Sequence, residues 1–279
     1  MTPHLLNLIL IASAVGVACA VLSVIVVLRR WAFIGEGISH AGFGGIGTAW
    51  LLSLAFPLLG ADLPVYAVAV IFCIGTAISI GFITRSGRVS SDAAIGIFLS
   101  GTLAWGFLAL AVYNQQRGAA IGWERYLLGD IRIATTTAAI SAVALAAAVL
   151  VTIAALRKEI LAYCFDPMLA AVSGVRSGAI HYLLMVLLAI VVVIGMGIAG
   201  NLLIPALLVL PGATALLLSR RIASVMCISV VTSLLAVAVG IAINATWPAV
   251  PIGPAIVLML FVEFAIAYVG SKTPRITVS

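Results

Sequence analysis

Glu36 and His40 stand four residues apart in the stretch Arg29-Arg30-Trp31-Ala32-Phe33-Ile34-Gly35-Glu36-Gly37-Ile38-Ser39-His40-Ala41. On a helix that spacing puts both side chains on one face. A carboxylate with an imidazole is a hard-to-borderline ligand set. It suits Zn²⁺, Mn²⁺ or Fe²⁺ better than Cu⁺, which prefers thiolates and thioethers. Two ligands are too few for a tight site but suffice for transient binding, the more so if a two-fold axis doubles them. Two blander readings stand beside this one. Glu36 answers the positive N-terminal end of its helix while His40 bonds a neighbouring helix, or the pair relays protons. If the helix runs on from Arg30, Glu36 lies about 9 Å and His40 about 15 Å beyond it. His40 then reaches the middle of a hydrocarbon core about 30 Å thick.

Glu263 is the other acidic residue inside an apolar run, nine residues before Lys272. That distance is about 14 Å of helix, the depth expected for His40. Glu263 either lines the same path, orients His40, or makes an interhelical hydrogen bond. Ionisable groups at such depth are expensive unless they face a cavity or a partner. His181, five residues past Arg176, and His4 read as structural. Asp62 and Asp130 fall in outer loops, where they help receive a cation or a carrier protein, or are simply solvated.

Other chemistries are excluded by missing motifs. The two lysines follow Arg157 and Ser271, so no Walker A loop exists and the chain cannot hydrolyse ATP alone. Neither Gly-x-Ser-x-Gly nor His-Glu-x-x-His occurs, and no Gly-x-Gly-x-x-Gly opens a helix after a strand. Cys19, Cys73, Cys164 and Cys227 form no Cys-x-x-Cys pair and read as small hydrophobes.

The elements that position these residues follow from composition. Of 279 residues, 65% are apolar and only 8% charged, and the mean hydropathy is +1.34. That excludes an ordinary soluble enzyme, a disordered tail and a nucleic-acid binder. A span needs about 20 apolar residues, so the chain has room for eight or nine. Apolar runs lie at about 5–28, 31–58, 64–84, 92–113, 133–156, 179–200, 202–219, 222–243 and 252–270. In lipid such runs must be helices, so the expected fold is an all-α integral membrane bundle. The first run lacks the basic flank of a cleavable signal.

The net charge of +6 describes topology. With the N-terminus outside and the C-terminus in the cytoplasm, eleven of the fourteen Lys and Arg face inward. The other three, Arg117, Arg125 and Arg132, share an outer loop with Glu124 and Asp130. Segment 157–178 is too polar to cross and too apolar for a solvated loop, and it reads as a short cytoplasmic helix lying against something. Segment 195–215 crowds Gly195, Gly197, Gly200, Asn201, Pro205, Pro211 and Gly212. It reads either as irregular backbone beside a water-filled path or as close packing through small residues.

Several stretches together resemble the permease subunit of the ABC-3 family of bacterial importers for zinc, manganese and iron. Arg29-Arg30 followed by Phe33-Ile34-Gly35-Glu36 and Ser39-His40-Ala41 is similar to the family's second span. Asp92-Ala93-Ala94-Ile95-Gly96-Ile97 resembles the start of its fourth, and Tyr126-Leu127-Leu128-Gly129-Asp130 a segment before the fifth. Phe165-Asp166-Pro167-Met168-Leu169-Ala170 with Ser173-Gly174 resembles its cytoplasmic segment, and Leu207 to Ala215 also matches. The resemblance covers about residues 5–270.

It implies a type II ABC importer-like fold and a single transmembrane permease domain, 1–279, in a bacterial inner membrane. The permease would pair with a second copy of itself and a cytoplasmic ATPase dimer, and receive cargo from an extracytoplasmic metal-binding protein. There would be no enzymatic activity and no permanent cofactor, only a transported zinc, manganese or iron ion. Glu36 and His40 correspond to the family's metal contacts, although Asp is commoner where Glu36 stands. Apart from the resemblance, Glu263 and Asn201 are expected either on the pathway or beside it, supporting the metal contacts. Segment 157–178 would hold the coupling helix, with Asp166, Pro167, Ala170 and Gly174 meeting the ATPase. Competing readings are a permease for metal chelates of siderophore or cobalamin type, a proton-coupled secondary transporter, and an intramembrane enzyme.

Overall fold

The computed structural model describes residues 3–55, 65–117, 135–199 and 202–271. Asn201, Asp62, Lys272, Arg275 and the whole of 118–134, with Tyr126–Asp130, lie outside the described residues. The described residues form helices and no strand: α1 (Pro3–Leu28), α2 (Ile34–Ala55), α3 (Val65–Arg85), α4 (Ser91–Arg117), α5 (Thr136–Ala155), α6 (Arg157–Phe165), α7 (Pro167–Val172), α8 (Ser177–Ala199), α9 (Leu203–Leu207), α10 (Leu210–Leu218), α11 (Ile222–Thr246) and α12 (Ile252–Gly270). Seven are long and apolar enough to cross a membrane: α1, α3, α4, α5, α8, α11 and α12. α2 has the length, about 33 Å at 1.5 Å per residue, but six glycines with Glu36 and His40 dilute its apolar character. The seventh run, 202–219, is broken in two, as α9 and α10. Among the described residues every Lys and Arg except Arg117 falls at one end of the bundle, here called the basic end.

α1 is apolar on every side, the pattern of a helix buried all round. Ala18, Cys19, Ala20, Leu22, Ser23 and Val24 are all buried. α5, α11, α10 and α8 pack around it, while α2 packs against α3, α4 and α8. Lipid tails are as apolar as leucine, so close approach and hydroxyls must hold such helices together. Both appear. Ser229 and Ser233 of α11 donate to the Ala20 and Gly16 carbonyls of α1 at 2.7 and 2.9 Å. A Cβ on Gly45 of α2 would lie 2.7 Å from the Ala69 Cα, and one on Gly44 would lie 2.8 Å from the Thr102 carbonyl oxygen.

The break in the seventh run is stitched by α1. Ser23 Oγ donates to the Val209 carbonyl at 3.2 Å and accepts the Gly212 N–H at 2.8 Å. α10 has no side-chain cap of its own at Val209. The buried hydroxyl of another helix supplies it, meeting the need for a partner at a helix start. A Cβ on Gly212 would lie 2.7 Å from the Ser23 carbonyl, so small residues and irregular backbone occur together here.

Two sequence expectations are corrected. The second run starts as a helix at Ile34, because 29–33 form a turn. Arg30 at φ 57° is its left-handed residue, with Trp31 N–H bonding the Val26 carbonyl and Arg30 N–H the Val27 carbonyl. That is a Schellman termination of α1. Segment 157–178 holds two helices, because Asp166 leaves the helical conformation at φ −149° and caps a new one.

Candidate functional site

The α1–α2 turn places Glu36 in the first turn of α2, where a carboxylate is favoured by the helix dipole. One turn on, His40 Nε2 lies 3.0 Å from Glu36 Oε1. The pair is half-open, with Glu36 43% and His40 19% exposed. His40 Nδ1 is buried with no hydrogen-bond partner among the described residues. If Nε2 carries the proton and gives it to Glu36, Nδ1 keeps a free lone pair. Alternatively, one ion could displace that proton and sit between the two donors. Donors 3.0 Å apart subtend about 90° at an ion about 2.1 Å from each, the angle between neighbouring octahedral ligands. No group of three or more His, Cys, Asp or Glu that could hold a metal occurs among the described residues.

The rise along α2 counts from Ile34, so His40 lies about 9 Å along the helix. That is in its first third, short of the midplane. Glu263 lies about 10 Å from the α12 terminus at Gly270 by the same rise. The two are at similar depth from the basic end, yet no hydrogen bond joins them. Both Glu263 carboxylate oxygens are buried without a partner among the described residues. α9 and the following turn come between. α9 packs on both α12 and α2, and a Cβ on Gly35 would touch Leu208 at 3.0 Å.

The segment after α5 is tied down at several points. Asp166 Oδ1 accepts the N–H groups of Met168 at 2.8 Å and Leu169 at 3.0 Å, and Pro167 opens α7. Both are preferred at a helix start. Ala170 is buried, and Ser177 Oγ donates to the Pro167 carbonyl at 2.9 Å. Gly174 at φ 86° ends α7, with its own N–H on the Ala171 carbonyl and Val175 N–H on that of Ala170. The residues left outward are Phe165, Met168, Leu169 and Val172, between 64% and 82% exposed. The end of α6 and α7 thus expose an apolar patch at the basic end, a candidate contact surface.

Sequence reasoning missed the network beneath that helix. Arg29 donates to the Tyr163 hydroxyl at 3.3 Å and to the Tyr163 carbonyl at 3.4 Å. Tyr163 OH is 2.7 Å from His181 Nδ1, and His181 Nε2 is 3.2 Å from the Gly81 carbonyl. A carbonyl only accepts, so Nε2 carries the proton and Nδ1 takes the one from Tyr163. Burial raises the Tyr163 hydroxyl above its ordinary pKa, which keeps that donor protonated. The network joins the turn after α1 to α3, α6 and α8 and borders a cavity of about 360 Å³. Its members are far apart in sequence, and the sequence offered only His181, five residues past Arg176 and read as structural.

Comparison with known proteins agrees with this all-helical fold. The sequence model of the ABC 3 transport family matches residues 1–271. The manganese transport system membrane protein MntC of Halalkalibacterium halodurans is 31% identical, over 92% of this chain and 84% of its own length. The chelated iron transport system membrane protein YfeD of Yersinia pestis is 29% identical, over 96% of this chain and 85% of its own. Among solved structures, PsaBC from Streptococcus pneumoniae in complex with Fab superposes with a TM-score of 0.81. It has 29% identity and covers 98% of this chain and 93% of its own. The match over nearly the whole length, on an all-helical bundle with the expected spans, shows that this chain belongs to the ABC 3 transport family.

Proposed function

We propose that the chain is the membrane-spanning permease subunit of an ATP-driven importer of divalent transition-metal ions. The Glu36–His40 pair carries the proposal: a carboxylate and an imidazole 3.0 Å apart, with one ring nitrogen left without a partner. Manganese or iron is the favoured cargo, because the relatives just described are named for those metals. Zinc rests on the ligand chemistry alone. A site with two protein donors holds an ion briefly, which suits transfer rather than storage. Glu263 and Asn201 belong to the same path in this reading, Glu263 because its depth matches and its oxygens stand unpaired.

The basic end faces the cytoplasm, in keeping with the positive-inside rule. The N-terminus is then outside and the C-terminus inside, in a bacterial inner membrane. ATP is hydrolysed by a separate ATPase dimer, and this chain is not itself an enzyme. The coupling segment rests on the exposed apolar face of α7. Asp166, Pro167 and Gly174 shape that helix, and Ala170 seats it on the bundle. Closure of the ATPase pair would move α7 and tilt one half of a permease homodimer against the other, a two-state transition giving alternating access. An extracytoplasmic metal-binding protein delivers the ion.

The test is Mn²⁺ and Fe²⁺ uptake by the complex reconstituted in vesicles with its ATPase. Glu36→Gln and His40→Ala should each lower uptake at least about tenfold, the loss of one hydrogen-bonded ligand worth ~1.4 kcal/mol or more, while the complex still assembles. Uptake at the normal rate in both variants would refute the site.

A further inference from the structure

A groove of about 770 Å³ opens between α5 and α11, at the basic end of the bundle. Val21 of α1 forms its floor, and Ile153, Met226 and Val230 are typical of its walls. The lining is apolar except at one end, where Arg157 and Lys158 of α6 close it. Neither cation has an ion-pair or hydrogen-bond partner among the described residues. Glu159, the nearest acid in sequence, lies about 160° around α6 from Arg157 and about 100° from Lys158. The other wall begins at Ile222, directly after Arg220 and Arg221, and Arg221 gives α11 no side-chain cap. Arg157 and Lys158 are thus the cations that line the groove, and Arg220 and Arg221 precede its other wall in sequence.

The dimensions are those of one leaflet. From Ile222 to Val231 the groove follows α11 for about 14 Å, against a half-core of about 15 Å. Neither wall packs against α2, so the groove is separate from the Glu36–His40 pair. A cationic end at headgroup level, continued by an apolar trough one acyl chain deep, matches the chemistry of a single amphiphile. Basic pockets between spanning helices hold anionic headgroups in this way.

We propose that this groove binds one anionic glycerophospholipid, with its phosphate on Arg157 and Lys158 and its acyl chains along Ile153, Met226 and Val230. The inference holds whatever ion the chain transports. The lipid completes the surface between α5 and α11 and anchors the start of α6, from which the coupling segment continues.

The test uses the full chain, purified in mild detergent and titrated with phosphatidylglycerol or phosphatidylcholine under native mass spectrometry. Two cations near the surface correspond to about a thirtyfold preference for the anionic lipid. Arg157→Gln with Lys158→Gln should reduce the preference to below about threefold, whereas Arg88→Gln, outside the groove, leaves it intact. Ala223→Trp should displace both lipids. A phosphatidylglycerol carrying a photoreactive acyl chain should label the peptide holding Met226 and Cys227. Equal affinity for the two lipids, a preference that survives the double variant, or labelling confined to other helices would each overturn the proposal. So would an Ala223→Trp chain that changes from dimer to monomer without losing lipid, because a second copy then fills the groove. Should Ala223→Trp fail to fold, the double Gln variant at two exposed positions still decides.

Discussion

Replacing Ser23 by Ala removes one oxygen and almost no volume, yet it should leave one backbone donor stranded inside the bundle. The hydroxyl is fully buried and accepts the Gly212 N–H at 2.8 Å. Its other partner, the Val209 carbonyl, also receives the Ala213 N–H at 3.0 Å and so stays satisfied. The whole effect therefore falls on Gly212, the third residue of a helix whose own cap residue, Val209, makes no side-chain hydrogen bond. A stranded buried donor costs about 1–3 kcal/mol. Interhelical hydrogen bonds in membranes run to about 1.7 kcal/mol at most, so the estimate is about 1.5 kcal/mol. For a chain of this length that corresponds to a fall of about 3–6 °C in Tm. The assay is a thermal scan of the purified protein beside Ser141→Ala, whose hydroxyl bonds only its own helix on an exposed face. Ser23→Ala and Ser141→Ala melting within about 1 °C of each other would refute the claim that α1 caps α10.

Gly174→Ala meets no atom within 4 Å, so its effect should come from φ 86° alone. About 1 kcal/mol of strain should loosen the end of α7, seen as faster amide exchange over 167–175 with α8 unchanged. Equal exchange would show that the termination is not strained. Tyr163→Phe strands His181 Nδ1 and removes one of the two Arg29 acceptors, leaving the Tyr163 carbonyl. It should lower thermal stability by about 1–3 kcal/mol, whereas Tyr268→Phe, on an exposed face of α12, should be neutral. Indistinguishable melting of the two would dissolve the network.

Much of the fold is legible in the sequence because lipid forces apolar runs into helices. The nine expected runs correspond to eight full-length helices and the broken α9–α10 pair. The eleven-to-three split of Lys and Arg likewise points to one basic end. Helix faces are another matter. In water a helix announces its buried side by an apolar stripe, but α1 is apolar all round and nothing periodic marks Ser23 or Gly16 as contact points. The start of α2 was misplaced for a local reason. Nothing about Arg30 as a residue type signals a left-handed conformation, which glycine usually supplies. The error carried through to the depth of His40. Glu36 and His40 were found because charge is scarce enough to stand out. The Arg29–Tyr163–His181 chain was not, because its three members meet only through tertiary packing. The outward face of α7 was half visible, in a segment too apolar for a loop, but Asp166 hid the break that turns Met168, Leu169 and Val172 outward.

The serines that join α11 to α1 have a consequence for how the chain is made. Ser233 reaches Gly16 across 217 residues and Ser229 reaches Ala20 across 209. α1 is synthesised long before α11 and thus obtains these two buried partners only when α11 has been inserted. Until then α1 sits in lipid with those neighbours missing, and the bundle cannot close from the N-terminus onward. Assembly is governed by a late, long-range pairing, the kind of step that slows folding and prolongs exposure to misassembly. A chain interrupted before α11 would hold most of its helices and still lack the contacts that lock its centre.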